Sequence, residues 1–217
     1  MLYVFAPPMG ETTVFLVRHG VTAWHEENRV LGQRDIPLSP AGVAQSEQVG
    51  ATLGGVKLWE VLSSPLQRAI QTAEIIGRAA GIEVARDPRL IDMQAGKWTG
   101  MTYDEVAASE EYQKFIRQPE SERIPGGESL DEVRRRAVSA VDQALRDSPS
   151  GDALAIVTHA GIIRVLLTHY MGSPPANYHR VRVSPGSITI LSFADDRELP
   201  RVLAVNLTAS LKDILRS

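Results

Sequence analysis

Apolar positions along this chain come in two textures, continuous short runs and rows spaced by three and four. Thr13 to Val17, "TVFLV", is an unbroken run of strand formers and predicts a buried strand. "WEVLSS" (Trp59 to Ser64) predicts a second short strand, and "ALAIVTH", ending at His159, a third. Helical spacing fills the gaps. Ser39 then Pro40 reads as an N-cap and first helical residue, with Gly54-Gly55 as the stop. Ser64-Pro65 repeats that signal, and Leu66, Ala69, Ile70, Ala73 and Ile76 form one face before Gly81. Ser129 with Glu132 makes a capping box for a third helix, whose apolar face is Leu130, Val133, Ala137, Ala140, Val141 and Ala144. Residues 161–171 predict a fourth, closed by Gly172 and Pro174. "SITILSF" and "RVLAV", separated by "ADDRELP", predict a final strand pair.

Strands alternating with helices predict an α/β fold, a three-layer α/β/α sandwich around a mostly parallel sheet. The organisation expected is an N-terminal arm (1–12) and one domain (13–217). An irregular, glycine-rich segment at about 88–128 should cover the site. In open parallel sheets ligands collect beyond the carboxyl ends of the strands. The first predicted strand ends at Arg18-His19. The second leads into Ser63-Ser64 and a helix carrying Arg68. The third ends at Thr158-His159-Ala160-Gly161. Two arginines and two histidines are therefore expected at one rim.

Composition narrows the chemistry. A net charge of -3 and a pI near 6.0 provide no basic field for nucleic acid, although a local basic pocket is compatible with them. No stretch reaches the roughly 18 apolar residues of a membrane span. The N-terminal segment lacks the basic start of a signal peptide. The chain has 0 cysteines, which removes thiolate metal sites and cysteine nucleophiles and fits a reducing, cytoplasmic setting. No metal or other cofactor is expected, since no ligand spacing of the His-Glu-x-x-His type occurs.

What two guanidiniums and two imidazoles can do together is hold and move a phosphoryl group. Charge in that transfer spreads over three oxygens, which arginine forks match. A neutral imidazole nitrogen can attack phosphorus, and nearby arginines keep it unprotonated. The second histidine, with the Ala160 amide at a helix start, can donate to phosphoryl oxygens. A carboxylic acid is needed for the leaving oxygen, and spacing alone does not select it among 26 acidic residues.

The ordered set "LVRHGVTAW", "LGQRDIPLSPAG", "SSPLQRAIQTA", "LIDMQAGKWTG", "PGGESLDEVRRRA" and "VTHAGIIR" resembles the histidine phosphatase, or phosphoglycerate-mutase-like, superfamily from about residue 13 to 193. The resemblance implies that His19 is the nucleophile and that Arg18, Arg68 and His159 form its phosphate pocket. It places the proton donor, usually glutamate, at Asp92, four residues before Gly96. Three positions depart from the family pattern. Val21 replaces Glu or Gln, His25 replaces Asn, and Leu31 stands where Gln or Thr is common. His25 is expected to substitute as a phosphate donor, and Leu31 to make one wall apolar. Together they predict a pocket for a less charged or bulkier organic phosphate.

The function expected is metal-independent hydrolysis of a small phosphorylated metabolite through phosphohistidine. A phosphoglycerate mutase uses the same site, but the short stretch from Thr102 to Ser129 favours hydrolysis. A non-catalytic phosphate-binding protein is the third reading. Neither nucleic acid nor membrane is expected as a partner, and an edge strand offers a surface for a homodimer. His169 and His179 are read as structural or surface residues, Trp98 as loop packing, and Arg134-Arg135-Arg136 as a solvated run.

Overall fold

A computed structural model describes residues 10–194 and 199–208. Most of the arm, part of "ADDRELP" and the last nine residues of the domain lie outside the described residues. The strands are β1 (Thr12–Arg18), β2 (Leu58–Ser63), β3 (Val84–Arg86), β4 (Ala153–Thr158), β5 (Ile188–Phe193) and β6 (Arg201–Leu207). They form one sheet in the order β3-β2-β4-β1-β5-β6. β1 to β4 run parallel, and β5 is antiparallel to both β1 and β6. The helices are α1 (Ala23–Glu26), α2 (Pro40–Leu53), α3 (Gln67–Ala80), α4 (Tyr103–Ala107), α5 (Glu110–Arg117), α6 (Leu130–Asp147) and α7 (Ala160–Tyr170). None of the described helices is long and apolar enough to cross a membrane.

The alternation of β1 explains the layers. Phe15 and Val17 pack with Val61, Ala155 and Val157 against Val49, Leu53, Ala73 and Ile76 of α2 and α3. Val14 and Leu16 point the other way, into a core with Leu154, Ile156, Val133, Val141, Ile162 and Leu166, the last four from α6 and α7. Both faces of β1 and β4 are thus covered, which is why those strands read as unbroken apolar text. The three-layer sandwich is the architecture expected. At the far edge β6 leaves Leu203, Val205 and Leu207 exposed.

Four details differ from the expectation. β1 begins at Thr12, a residue assigned to the arm, and Thr12 pairs with Phe193. β3 was not expected, because three residues, half-buried or exposed, carry no periodic signal. The segment before α6 contains α4 and α5, each started by a Thr or Ser side chain that accepts from a first-turn amide. Ser64-Pro65 does not start α3. Its N-cap is Leu66, with extended backbone and no side-chain bond, because the Ser64 hydroxyl is used elsewhere.

Candidate active site

Parallel pairing brings the strand ends together. Arg18 lies opposite Thr158, and Ser63 opposite Val157, so the residues that follow all emerge on one rim. Close packing holds the first turn there. A Cβ at Gly20 would stand 2.3 Å from the Gly42 carbonyl oxygen of α2, so only glycine fits.

His19 is buried at this rim, and its two ring nitrogens have different partners. Nδ1 donates to the Gly20 carbonyl at 2.7 Å, which leaves the lone pair on Nε2. Arg68 Nε donates to that lone pair at 3.2 Å. Burial first, and then the Arg68 charge, hold His19 well below its ordinary pKa of 6.5. The ring is therefore neutral near pH 7, with a basic nitrogen surrounded by cations.

Arg68 is 0% exposed. Its terminal nitrogens donate to the Arg34 carbonyl at 2.6 Å, the Gly32 carbonyl at 2.8 Å and Asp92 Oδ2 at 3.0 Å. Arg18 donates to the Val183 carbonyl at 2.6 Å and to His25 Nε2 at 2.7 Å. Burial pushes the Arg18 guanidinium down to about 10, so it stays charged. Its Nε is buried without a partner among the described residues.

His25 corrects an expectation. Its Nε2 lies 2.7 Å from an Arg18 terminal nitrogen, and its Nδ1 accepts from the Thr22 amide at 3.2 Å and lies 2.9 Å from Thr22 Oγ1. Both nitrogens are engaged, so His25 orients Arg18 rather than donating to phosphate. Burial, reinforced by Arg18, pushes it down to about 2. Leu31 is 4% exposed, and the carbonyl of the next residue, Gly32, accepts from Arg68.

His159 is the N-cap of α7, and its Nε2 lies 2.7 Å from Ser64 Oγ. The Leu66 amide donates to the same oxygen at 3.4 Å. The Ser64 hydrogen has no other acceptor among the described residues, so it is placed on Nε2. The His159 proton then sits on Nδ1, which is buried without a hydrogen-bond partner and faces Asp92 Oδ2 at 3.5 Å. The opposite tautomer would aim a lone pair at a carboxylate. Ser64 therefore determines which nitrogen donates, a role that its helix-start spelling concealed. Burial, then the Arg68 charge, keep His159 well below 6.5.

Asp92 joins the cluster from the irregular segment. Oδ1 accepts from the Met93 amide at 2.9 Å, and Oδ2 accepts from Arg68. Burial raises its pKa, and the two arginines only partly oppose this. Arg136 clamps the loop that delivers it. It donates to the carbonyls of Arg89 at 2.7 Å, Ile91 at 2.6 Å and Asp92 at 3.1 Å, and pairs with Glu128 at 2.8 Å. The expectation of a solvated arginine run fails here: Arg134 and Arg135 pair with Asp131 at the surface, but Arg136 turns inward. Trp98 is loop packing, stacked edge-on against Tyr112 and Phe115, each at 5.7 Å.

A cavity of about 810 Å³ opens onto this rim at Arg18, Val21, His25 and Ala160. Ala160 brings the first helical position of α7, where amides have no intrahelical partner. His179, read as a structural or surface residue, also lines the cavity, whereas His169 lies away from it. A neutral imidazole, two arginines, unpartnered donors and a carboxyl of raised pKa are the parts that phosphoryl transfer needs.

That fold and cluster define an α/β protein of the histidine phosphatase class, and the chain belongs to the histidine phosphatase superfamily (branch 1), which it matches over residues 14–208. Among curated relatives, the probable phosphoglycerate mutase GpmB of Yersinia enterocolitica is 33% identical, over 84% of this chain and 85% of the relative. The solved mycobacterial glucosyl-3-phosphoglycerate phosphatase, a complex with VO3, is 28% identical with a TM-score of 0.83, covering 90% of this chain and 99% of that one. Phosphoserine phosphatase from Entamoeba histolytica, in complex with 3-phosphoglyceric acid, is 25% identical with a TM-score of 0.81, covering 91% and 98%. Family and neighbours together support a phosphoric monoester hydrolase.

Proposed function

We propose that this protein is a phosphatase that hydrolyses a small organic phosphomonoester through phosphohistidine at His19, acting in the cytoplasm and without a metal. The observation that carries the reading is the His19 ring, neutral and bonded through Nδ1 so that its basic Nε2 faces the arginines. In the first step Nε2 forms a bond to phosphorus while the ester P–O bond breaks. Arg18 Nε and His159 Nδ1, both buried and unpartnered, take phosphoryl oxygens, with Arg68 and the Ala160 amide beside them. Asp92, whose pKa burial raises, gives a proton to the leaving oxygen. In the second step the Asp92 carboxylate takes a proton from water as that water attacks phosphorus. The N–P bond breaks, and inorganic phosphate leaves.

The test is phosphate release from a panel of phosphomonoesters, with His19→Ala as control. Release by the parent protein and none by the variant is the expected result; equal release by both would sink the proposal. A second reading, phosphoglycerate mutase, is favoured by the 33% identity to a relative of that name. Isomerisation of a phosphoglycerate without phosphate release would establish it instead.

A further inference from the structure

The steps above leave Arg164, a cation of the cavity wall, without work. Arg164 stands on α7 four residues beyond Ala160, and so about 6 Å further along the same helix face. Its Nε donates to the Val181 carbonyl at 2.8 Å, which anchors the guanidinium by one edge. The two terminal nitrogens have no partner among the described residues, and no carboxylate pairs with this half-buried side chain. Its charge acts instead on Arg18, another cation, on the half-buried Tyr112 and on the buried Tyr178. Leaving a partly desolvated guanidinium unpaired beside a like charge is unfavourable unless an anion completes it. The rest of the wall agrees: Arg18, Arg164, Arg180 and Arg182 line the cavity, and Glu26 is the only carboxylate among its lining residues.

We propose that Arg164 is a specificity-determining residue that binds a second anionic group of the substrate, a carboxylate or a second phosphate, while the phosphoryl group sits at His19. This inference rests on the phosphatase reading and deepens it. The substrate class becomes a small phosphomonoester that carries a second negative group. It reverses the expectation of a less charged substrate drawn from Val21, His25 and Leu31, because the charge comes from α7 and the segment after it.

The test compares 3-phosphoglycerate with glycerol 3-phosphate, which differ in a carboxylate, and adds propane-1,3-diol bisphosphate as the second-phosphate arm. p-Nitrophenyl phosphate serves as the general phosphatase substrate. The readout is the ratio of kcat/KM for each doubly anionic substrate to that for glycerol 3-phosphate. The parent protein should favour at least one doubly anionic substrate, and the favoured arm identifies the second group. Arg164→Met should lower that ratio roughly 10- to 100-fold, the effect of one charge-assisted contact, mainly through KM. Arg164→Lys, which keeps the charge but loses the anchor on Val181, should fall between. A parent ratio near one, or a ratio that both variants leave unmoved, overturns the inference while p-nitrophenyl phosphate turnover keeps the phosphatase reading. Absence of phosphate release from all four substrates overturns both.

Discussion

Replacing Ser64 by alanine removes a single oxygen from the floor of the site. That oxygen lies 2.7 Å from His159 Nε2, and both residues are essentially unexposed, at 0% and 1%. Water cannot readily replace it. Nε2 then has two choices. It can remain a bare buried acceptor, which costs about 1–3 kcal/mol. Or it can take the proton from Nδ1, which turns that donor into a lone pair opposite Asp92 Oδ2 at 3.5 Å. Loss of one such donor at a transition state costs about 3–4 kcal/mol, on the order of 100- to 1,000-fold in kcat. Ser64→Ala should therefore lower kcat by about 100-fold or more, with KM moving less. Ser64→Thr keeps a hydroxyl and should recover most of the activity. Phosphate-release kinetics measure the loss, and the nitrogen shifts of labelled histidine report which His159 nitrogen is protonated. A parent protein protonated at Nε2, or Ser64→Ala within about threefold of parent activity, would refute the reasoning.

Asp92→Asn should slow alkyl phosphates by roughly 100-fold or more but affect p-nitrophenyl phosphate little, because only a poor leaving group needs the proton; equal losses on both would remove Asp92 from that role. Arg136→Met deletes three carbonyl contacts and the Glu128 pair, and should cost about 3 kcal/mol in urea unfolding while also raising the leaving-group sensitivity of turnover. Stability should fall on acidification below pH 6.5. His19, His25 and His159 are held neutral in the folded protein, so the unfolded chain binds more protons there. Each contributes up to about 1.4 kcal/mol per pH unit, stability that is present above 6.5 and lost below it. Asp92, with its raised pKa, works in the opposite direction and cancels part of the loss. Tm at pH 5.5 should thus lie below that at pH 7.5, and His25→Asn should shrink the gap; a gap of unchanged size would contradict this account.

The fold and the centre of the site were legible because they rest on local text. Arg18 ends an apolar strand, His19 and His159 directly follow apolar strands, and Arg68 lies in the first turn of a helix, so the parallel-sheet rule was enough to gather them. Asp92 was reachable only through resemblance, because its loop has no periodicity and its place depends on Arg136, 44 residues away. Ser64 was misread because Ser-Pro spells a helix start, while its hydroxyl serves a residue 95 positions later. Arg136 was misread because three consecutive arginines look alike in sequence, and only helical phase separates the one turned inward. His25 was matched to a family position by register, but its hydrogen-bond partners decide what the side chain does there. Arg164 lay inside "VTHAGIIR" without drawing attention, since its distinction is the absence of an acidic partner in three dimensions.

The claim on which the rest depends is that His19 Nε2 accepts the phosphoryl group. Rapid-quench labelling of the intact protein with a reactive phosphoester, followed by mass mapping under alkaline conditions, tests it most directly. The account predicts an acid-labile, base-stable phosphoryl group on His19 that forms before phosphate is released and is absent from His19→Ala. Steady phosphate release with no such adduct, or an adduct on another residue, would contradict it.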